Sequence, residues 1–169
     1  MPAWKHLLAA TLGVLTLGSL AASGQSLKSF VQPRQPAKSA AVTYLFPEQV
    51  TVAAGKPVEV DLHFRVAPGL HINSHKPVDD FLIPTTFSIP DGVGIRLLGV
   101  SYPQGSMTAL AADPATKLSV YTGELVLRAR IEAAAGNHLV EGRLRYQSCD
   151  NNQCMPPATA IAAIDVIGR

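Results

Sequence analysis

The stretch Val58-Glu59-Val60-Asp61-Leu62-His63-Phe64-Arg65-Val66 alternates apolar and polar side chains without a break. Successive side chains of a β-strand point to opposite faces of a sheet, so this period of two predicts a half-buried strand. Gly55-Lys56-Pro57 before it and Ala67-Pro68-Gly69 after it are turn-forming sequences. The strand therefore has well-defined ends.

The same alternation recurs on both sides of this strand. Leu125–Ile131 and Leu139–Tyr146 have it, and Gly136-Asn137 between them predicts that the two segments form a hairpin. We expect the last strand within Ala158–Ile167. Weaker strands are predicted at Val50–Ala53, Thr85–Ile89 and Ile95–Tyr102.

Many short strands without a long helical pattern predict an all-β fold, specifically an immunoglobulin-like antiparallel β-sandwich. The sandwich should occupy residues 42–169, about 128 residues, which is enough to bury a core of its own. Ser106–Ser119 has neither strand nor helix periodicity, and Asp113, Pro114 and Lys117 favour a surface loop there.

The N-terminus has the order of a secretory signal peptide. Lys5 and His6 precede the apolar run Leu7–Leu20, and small residues follow up to Gly24. We expect residues 1–24 to be the signal peptide, residues 25–41 to be a flexible linker, and the mature protein to be periplasmic or secreted. An uncleaved anchor is the alternative, but the run of about 14 residues is shorter than the roughly 20 that span a bilayer. No membrane span is expected after signal removal.

Charge argues against a nucleic-acid-binding face. The whole chain carries a formal charge of +2, and its basic residues are scattered singly instead of forming a patch. Export has a different consequence, because it places both cysteines of the chain where disulfides form and persist.

Those cysteines lie in Tyr146-Gln147-Ser148-Cys149-Asp150-Asn151-Asn152-Gln153-Cys154-Met155-Pro156-Pro157, separated by four polar, turn-prone residues. Such a turn at the end of a strand can bring Cys149 and Cys154 within bonding distance. One interpretation is a structural bond that pins a loop. The other is dithiol–disulfide exchange, in which one thiolate attacks a partner's disulfide and the neighbouring cysteine resolves the mixed disulfide.

The segment from Tyr146 to Pro157 resembles the N-terminal periplasmic domain of the thiol:disulfide interchange protein DsbD. Pro68–Ser74, Leu82–Thr85 and Leu118–Glu124 resemble that family in order and spacing, so the likeness covers nearly all of Val42–Arg169. It implies an immunoglobulin-like domain that acts as a protein-disulfide reductase. No cofactor and no metal belong to the implied site.

The resemblance also implies roles for particular residues. Cys154 would bond to the partner and Cys149 would be its internal mate, with Tyr146, His71 and Asn73 around them. A capping loop within Ala112–Tyr121 would shield the pair. The implied partners are thioredoxin-like periplasmic proteins, of the disulfide isomerase or cytochrome c maturation type, and a separate membrane protein as electron donor.

Two rival functions stay open from the sequence. One is a non-catalytic, exported interaction module whose disulfide is only structural. The other is a metal-handling protein that uses His71 and His75, since imidazole binds copper and zinc. On a strand these two residues would be about 13 Å apart, too far to hold one ion together.

Overall fold

The computed structural model describes residues 40–45, 49–110 and 113–169, which belong to one unit of the chain. The predicted signal peptide and nearly all of the predicted linker lie outside the described residues. Within this part of the chain every element is a β-strand, so the predicted all-β class is confirmed. The same part contains no helix of the length and apolarity needed to cross a membrane.

Twelve strands occur in the described residues. In chain order they are β1 (Val42–Tyr44), β2 (Gln49–Val52), β3 (Val58–Val66), β4 (His71–Asn73), β5 (Thr86–Ser88), β6 (Ile95–Ser101), β7 (Ser106–Leu110), β8 (Asp113–Tyr121), β9 (Glu124–Ala133), β10 (Gly136–Tyr146), β11 (Ser148–Cys149) and β12 (Ala158–Gly168). The strand expected from the alternating stretch is β3, with the predicted bounds. The last strand and the three weaker strands are confirmed as β12, β2, β5 and β6.

The strands form three four-stranded sheets. The first has the order β1-β3-β9-β6, the second β2-β12-β10-β5 and the third β11-β4-β8-β7. The pairing is antiparallel, as predicted, except that β2 runs parallel to β12 along the edge of the second sheet.

The first two sheets pack face to face around one hydrophobic core. Leu62 and Phe64 of β3 are fully buried, as are Leu144 of β10 and Val166 of β12. The rings of Phe64 and Phe87 lie 6.5 Å apart in an edge-to-face arrangement that joins the two sheets. This two-layer packing is that of an immunoglobulin-like sandwich, and the predicted fold class is confirmed.

The predicted hairpin between β9 and β10 is wrong. β9 pairs with β3 and β6 in the first sheet, whereas β10 pairs with β12 and β5 in the second. Gly136, with φ at 114°, lies where the chain passes from one sheet to the other. Both strands alternate and both bury one face in the same core, so their sequences alone do not separate a hairpin from such a crossing.

The surface loop predicted at Ser106–Ser119 is also wrong, because the described residues of this segment belong to the antiparallel strands β7 and β8. Residues 113–117 of β8 are all exposed. Without a buried face there is no alternation to detect, and only the backbone ladder defines the strand. β7 is the edge strand of the third sheet on the side away from β11.

Candidate functional site

The two cysteines lie at the edge of the third sheet. In β11, Ser148 pairs with Ile72 and Cys149 pairs with His71, both on β4. The outer side of β11 pairs, within the described residues, only with Cys154, in a single antiparallel bridge. The cysteine pair therefore occupies a strand edge, where another protein can approach.

A tight turn closes the short loop between the cysteines. The backbone N–H of Asp150 donates to the carbonyl of Gln153 at 3.0 Å. The Oδ1 atom of Asp150 accepts from the N–H groups of Asn152 and Gln153, at 2.7 and 2.8 Å. This side-chain turn is typical of aspartate. It brings the Cα atoms of Cys149 and Cys154 to 4.0 Å, and the two residues are joined by a disulfide bond.

The two halves of the disulfide differ in exposure. Cys149 is 3 % exposed, whereas Cys154 lies at the protein surface. Attack by a thiolate of another protein requires access to a sulfur atom. The geometry offers that access at Cys154 and withholds it at Cys149.

His71 lies beside the buried cysteine. Ile72 is part of the core, so by strand alternation His71 points away from the core, and as the ladder partner of Cys149 it shares that residue's face of the sheet. Its Nε2 atom is buried and has no hydrogen-bond partner. Burial lowers the pKa of His71, and the nearby Asp150 carboxylate opposes this shift.

Asp150 is held as a carboxylate. Hydrogen bonds from the backbone N–H groups of Asn152 and Gln153 lower its pKa, and the neighbouring His71 adds to the shift. A carboxylate next to Cys149 disfavours the thiolate of that residue.

Asn73 is linked to the cysteine turn through the side chain of Gln147. Its Nδ2 atom donates to the carbonyl of Ile83 at 3.1 Å and to Oε1 of Gln147 at 3.4 Å. Gln147 in turn donates from Nε2 to the carbonyl of Met155 at 3.2 Å. The hydrogen bonds from Asn73 to Gln147 and from Gln147 to Met155 form a relay that joins β4 to the residue after Cys154. The sequence-based interpretation missed Gln147, although it lies within the quoted cysteine segment.

Tyr146 is buried in the hydrophobic core. Burial raises the pKa of its phenol, and the backbone N–H of Val42 hydrogen-bonds to it, which opposes the rise. A role for Tyr146 beside the cysteines stays a prediction.

The second histidine of the metal hypothesis has other partners. The His75 ring stacks on Tyr102, with centroids 3.7 Å apart, and its Nδ1 atom lies 3.0 Å from the carbonyl of Thr85. Within the part of the chain that the structure describes, no three His, Cys, Asp or Glu side chains lie together in a way that could hold a metal ion.

The described part of the segment predicted to cap the site is a strand. Ala112 lies outside the described residues, and the rest of the segment is the strand β8. Val120 and Tyr121 pair with β4, so β4 lies between β8 and the cysteine strand. A covering role for this segment stays a prediction.

The loop of residues 74–85 contacts Asn73 through the carbonyl of Ile83. A hydrogen bond from the N–H of Thr85 to the carbonyl of Ser74 closes this loop at its base. The loop carries Phe81, which is 93 % exposed, two residues before the carbonyl that binds Asn73.

Comparison with known proteins gives one family. The family model described as "Thiol:disulfide interchange protein DsbD, N-terminal" matches residues 41–165. No curated protein matches the sequence.

Eleven chains of solved structures are similar, among them the following two. One is the reduced N-terminal domain of DsbD from Neisseria meningitidis, with 19 % identity and a TM-score of 0.45; the match covers 68 % of this chain and 82 % of that one. The other is the N-terminal periplasmic domain of ScsB from Proteus mirabilis, with 16 % identity and a TM-score of 0.49 over 68 % of this chain. The chain spans 43 % of the ScsB structure.

Proposed function

The chain belongs to the family of N-terminal domains of the thiol:disulfide interchange protein DsbD, and on that premise we propose that it exchanges disulfides with thioredoxin-like proteins through Cys149 and Cys154. The observation that carries the proposal is the disulfide between one exposed and one buried cysteine at a sheet edge. A bond buried on both sides would be closed to exchange.

The exposed residue takes the partner-linked role in this proposal. A thiolate of a reduced partner attacks Cys154 Sγ, the bond between the two cysteines breaks, and Cys149 leaves with the electron pair. The partner's second thiolate then attacks the mixed disulfide and releases Cys154. The domain becomes reduced and the partner becomes oxidised. The same steps in reverse reduce a disulfide of the partner.

Family membership supports a place in the periplasm, with disulfide isomerases or cytochrome c maturation proteins of thioredoxin type as partners. We further propose that the domain acts as a reductase supplied with electrons by a membrane protein. The direction of flow follows from the potentials of the partners and not from the geometry of the domain.

A purely structural disulfide is the rival function. Its specific support is the burial of Cys149 in the β4–β11 ladder, which is what a bond that pins a loop would show. The two functions differ in whether Cys154 reacts with another protein.

A pair of single-cysteine variants tests the proposal. Cys149→Ala keeps the exposed thiol and Cys154→Ala keeps the buried one, so each variant is the matched control for the other. The probe is a thioredoxin without its resolving cysteine, activated as a mixed disulfide with thionitrobenzoate. Release of thionitrobenzoate reports formation of the protein–protein disulfide.

We expect Cys149→Ala to react at least about tenfold faster than Cys154→Ala, because access to the sulfur limits the reaction. If neither folded variant reacts faster than a thiol in an unfolded peptide, exchange is not the function. Faster reaction of Cys154→Ala would reverse the two roles.

A further inference from the structure

The pairing of β4 with β11 sets His71 directly against Cys149. Residues opposed in an antiparallel ladder point to the same face, with Cβ atoms about 4.5–5.5 Å apart. An imidazole extends far enough from its Cβ to reach a cysteine sulfur at that separation. The buried sulfur of the disulfide therefore has a titratable ring as its cross-strand neighbour.

The Nε2 atom of this ring is the only buried side-chain nitrogen or oxygen without a hydrogen-bond partner among the described residues. Buried polar atoms are normally paired, so the exception needs a reason. The disulfide explains the missing partner, because neither of its sulfurs carries a proton that could be donated to Nε2. After reduction, Cys149 has an S–H group, and the vacant nitrogen can accept it.

The charges around His71 suit a neutral ring that can become an imidazolium. On β11 it faces Cys149, with the Asp150 carboxylate next along the chain. On its own strand the same face carries the uncharged Asn73. On β8, Tyr121 opposes Ile72 in the ladder and therefore lies on the other face of the sheet, in the core. Asp150 is thus the charged group that would stabilise a protonated ring.

We propose that His71 Nε2 is the proton acceptor for Cys149 when this cysteine resolves a mixed disulfide. The inference deepens the proposed exchange function and rests on it. Cys154 is then bonded to the partner sulfur and Cys149 is a thiol. The S–H proton passes to Nε2, and the Cys149 thiolate attacks Cys154 Sγ. The new disulfide forms, and the partner leaves as a thiolate that takes up a proton from water.

His71 afterwards returns its proton to solvent, so the cycle closes without another reactant. Two electrons have moved from the cysteine pair to the partner. A thiol that is both buried and next to a carboxylate is a poor source of thiolate at neutral pH, which is the difficulty the ring removes.

Reaction of the reduced domain with dithiobis(nitrobenzoate) separates the two steps. Attack by Cys154 releases one thionitrobenzoate, and ring closure by Cys149 releases a second one. We compare the intact protein with His71→Gln, which keeps a polar side chain that cannot take a proton. His138→Gln is the matched control, since His138 lies on β10 and contacts the Ala134 carbonyl.

The first release should be the same in all three proteins. The second should be at least about 100-fold slower at neutral pH in His71→Gln, the lower end for loss of a general base. Its rate should rise about tenfold per pH unit in that variant, because only free thiolate reacts. In the intact protein and in His138→Gln, the rate of the second release should be nearly independent of pH above the pKa of His71.

An unchanged second release with an unchanged pH profile overturns the role of His71 and leaves exchange intact. Absence of a second release from the intact protein instead contradicts the exchange function itself. Nitrogen-15 NMR of the intact protein gives a test that does not need the variant to fold. The Nε2 resonance of His71 should move on reduction while that of His138 stays, and equal His71 resonances in both states would also overturn the proposal.

Discussion

Cys149 is buried and Cys154 is exposed, although their Cα atoms are only 4.0 Å apart. The difference arises because Cys149 lies within the β4–β11 ladder while Cys154 ends the turn that folds back over its edge. One cysteine is therefore held by the sheet and the other lies at the surface. This division is what a two-step exchange needs, with one cysteine to meet a partner and one to release it.

Reduction of the disulfide should lower stability without unfolding the domain. The bond closes a ring of about six residues, which is worth roughly 2 kcal/mol in the chain-entropy model. The core between the first two sheets does not depend on it. Urea unfolding with and without a reductant measures the difference, and a double variant, Cys149→Ala with Cys154→Ala, should show no effect of the reductant. Complete unfolding on reduction would assign the bond a structural role.

Asn73→Ala should destabilise the domain by about 1–3 kcal/mol, because it leaves the Ile83 carbonyl and the Gln147 side chain without their donor. The exposed Asn137 is the matched control, and Asn137→Ala should change stability by less than about 0.5 kcal/mol. Chemical denaturation of both variants provides the comparison. Equal effects would mean that the relay from β4 to the cysteine turn carries no stability.

Stability should also fall in mild acid through His71. Burial lowers the pKa of His71 in the folded state, whereas an unfolded histidine has a pKa of about 6.5. The unfolded chain therefore binds the proton first as the pH falls. The stability that neutral His71 contributes is fully present above about pH 6.5 and is lost as the pH drops through the folded-state pKa of His71.

Urea midpoints of the oxidised protein between about pH 8 and pH 5 test this dependence. His71→Gln should have a flatter profile over that range, while His138→Gln should follow the intact protein. Asp150 acts in a separate window, because its lowered pKa removes stability only below about pH 4. A profile for His71→Gln as steep as that of the intact protein would contradict the expected effect.

Tyr146→Phe tests whether Tyr146 acts only in the core or also at the cysteine site. The variant keeps the buried ring and loses only the hydroxyl that binds the Val42 backbone. We expect a loss of about 0.5–1.5 kcal/mol in stability and no change in the rate of exchange. A slower exchange with stability unchanged would instead support the predicted place of Tyr146 beside the cysteines.

The sequence predicted those parts of the fold that bury one face. β3 was predicted with its bounds because every second side chain enters the core. β8 was missed because residues 113–117 have no buried face. The crossing from β9 to β10 was taken for a hairpin because a strand's own alternation shows which face is buried and not which sheet buries it.

For the candidate site, too, the local features were predicted and the contacts between residues far apart in sequence were not. The bond between Cys149 and Cys154 follows from a short polar turn, which is local in the chain. The resemblance predicted His71 around the cysteines, but its opposition to Cys149 joins residues far apart in sequence and is shown by the ladder register. The link from Asn73 through Gln147 has the same origin, since it depends on how β4 and the turn are placed in space.

The reduction potential of the Cys149–Cys154 couple tests the exchange function most directly. Equilibration of the intact domain with thioredoxin and glutathione couples of known potential gives this value. An exchange site should lie in the range of thioredoxin-like proteins, between about −270 and −120 mV. A potential below about −300 mV, typical of structural disulfides, would contradict exchange and leave a sandwich with a pinned loop.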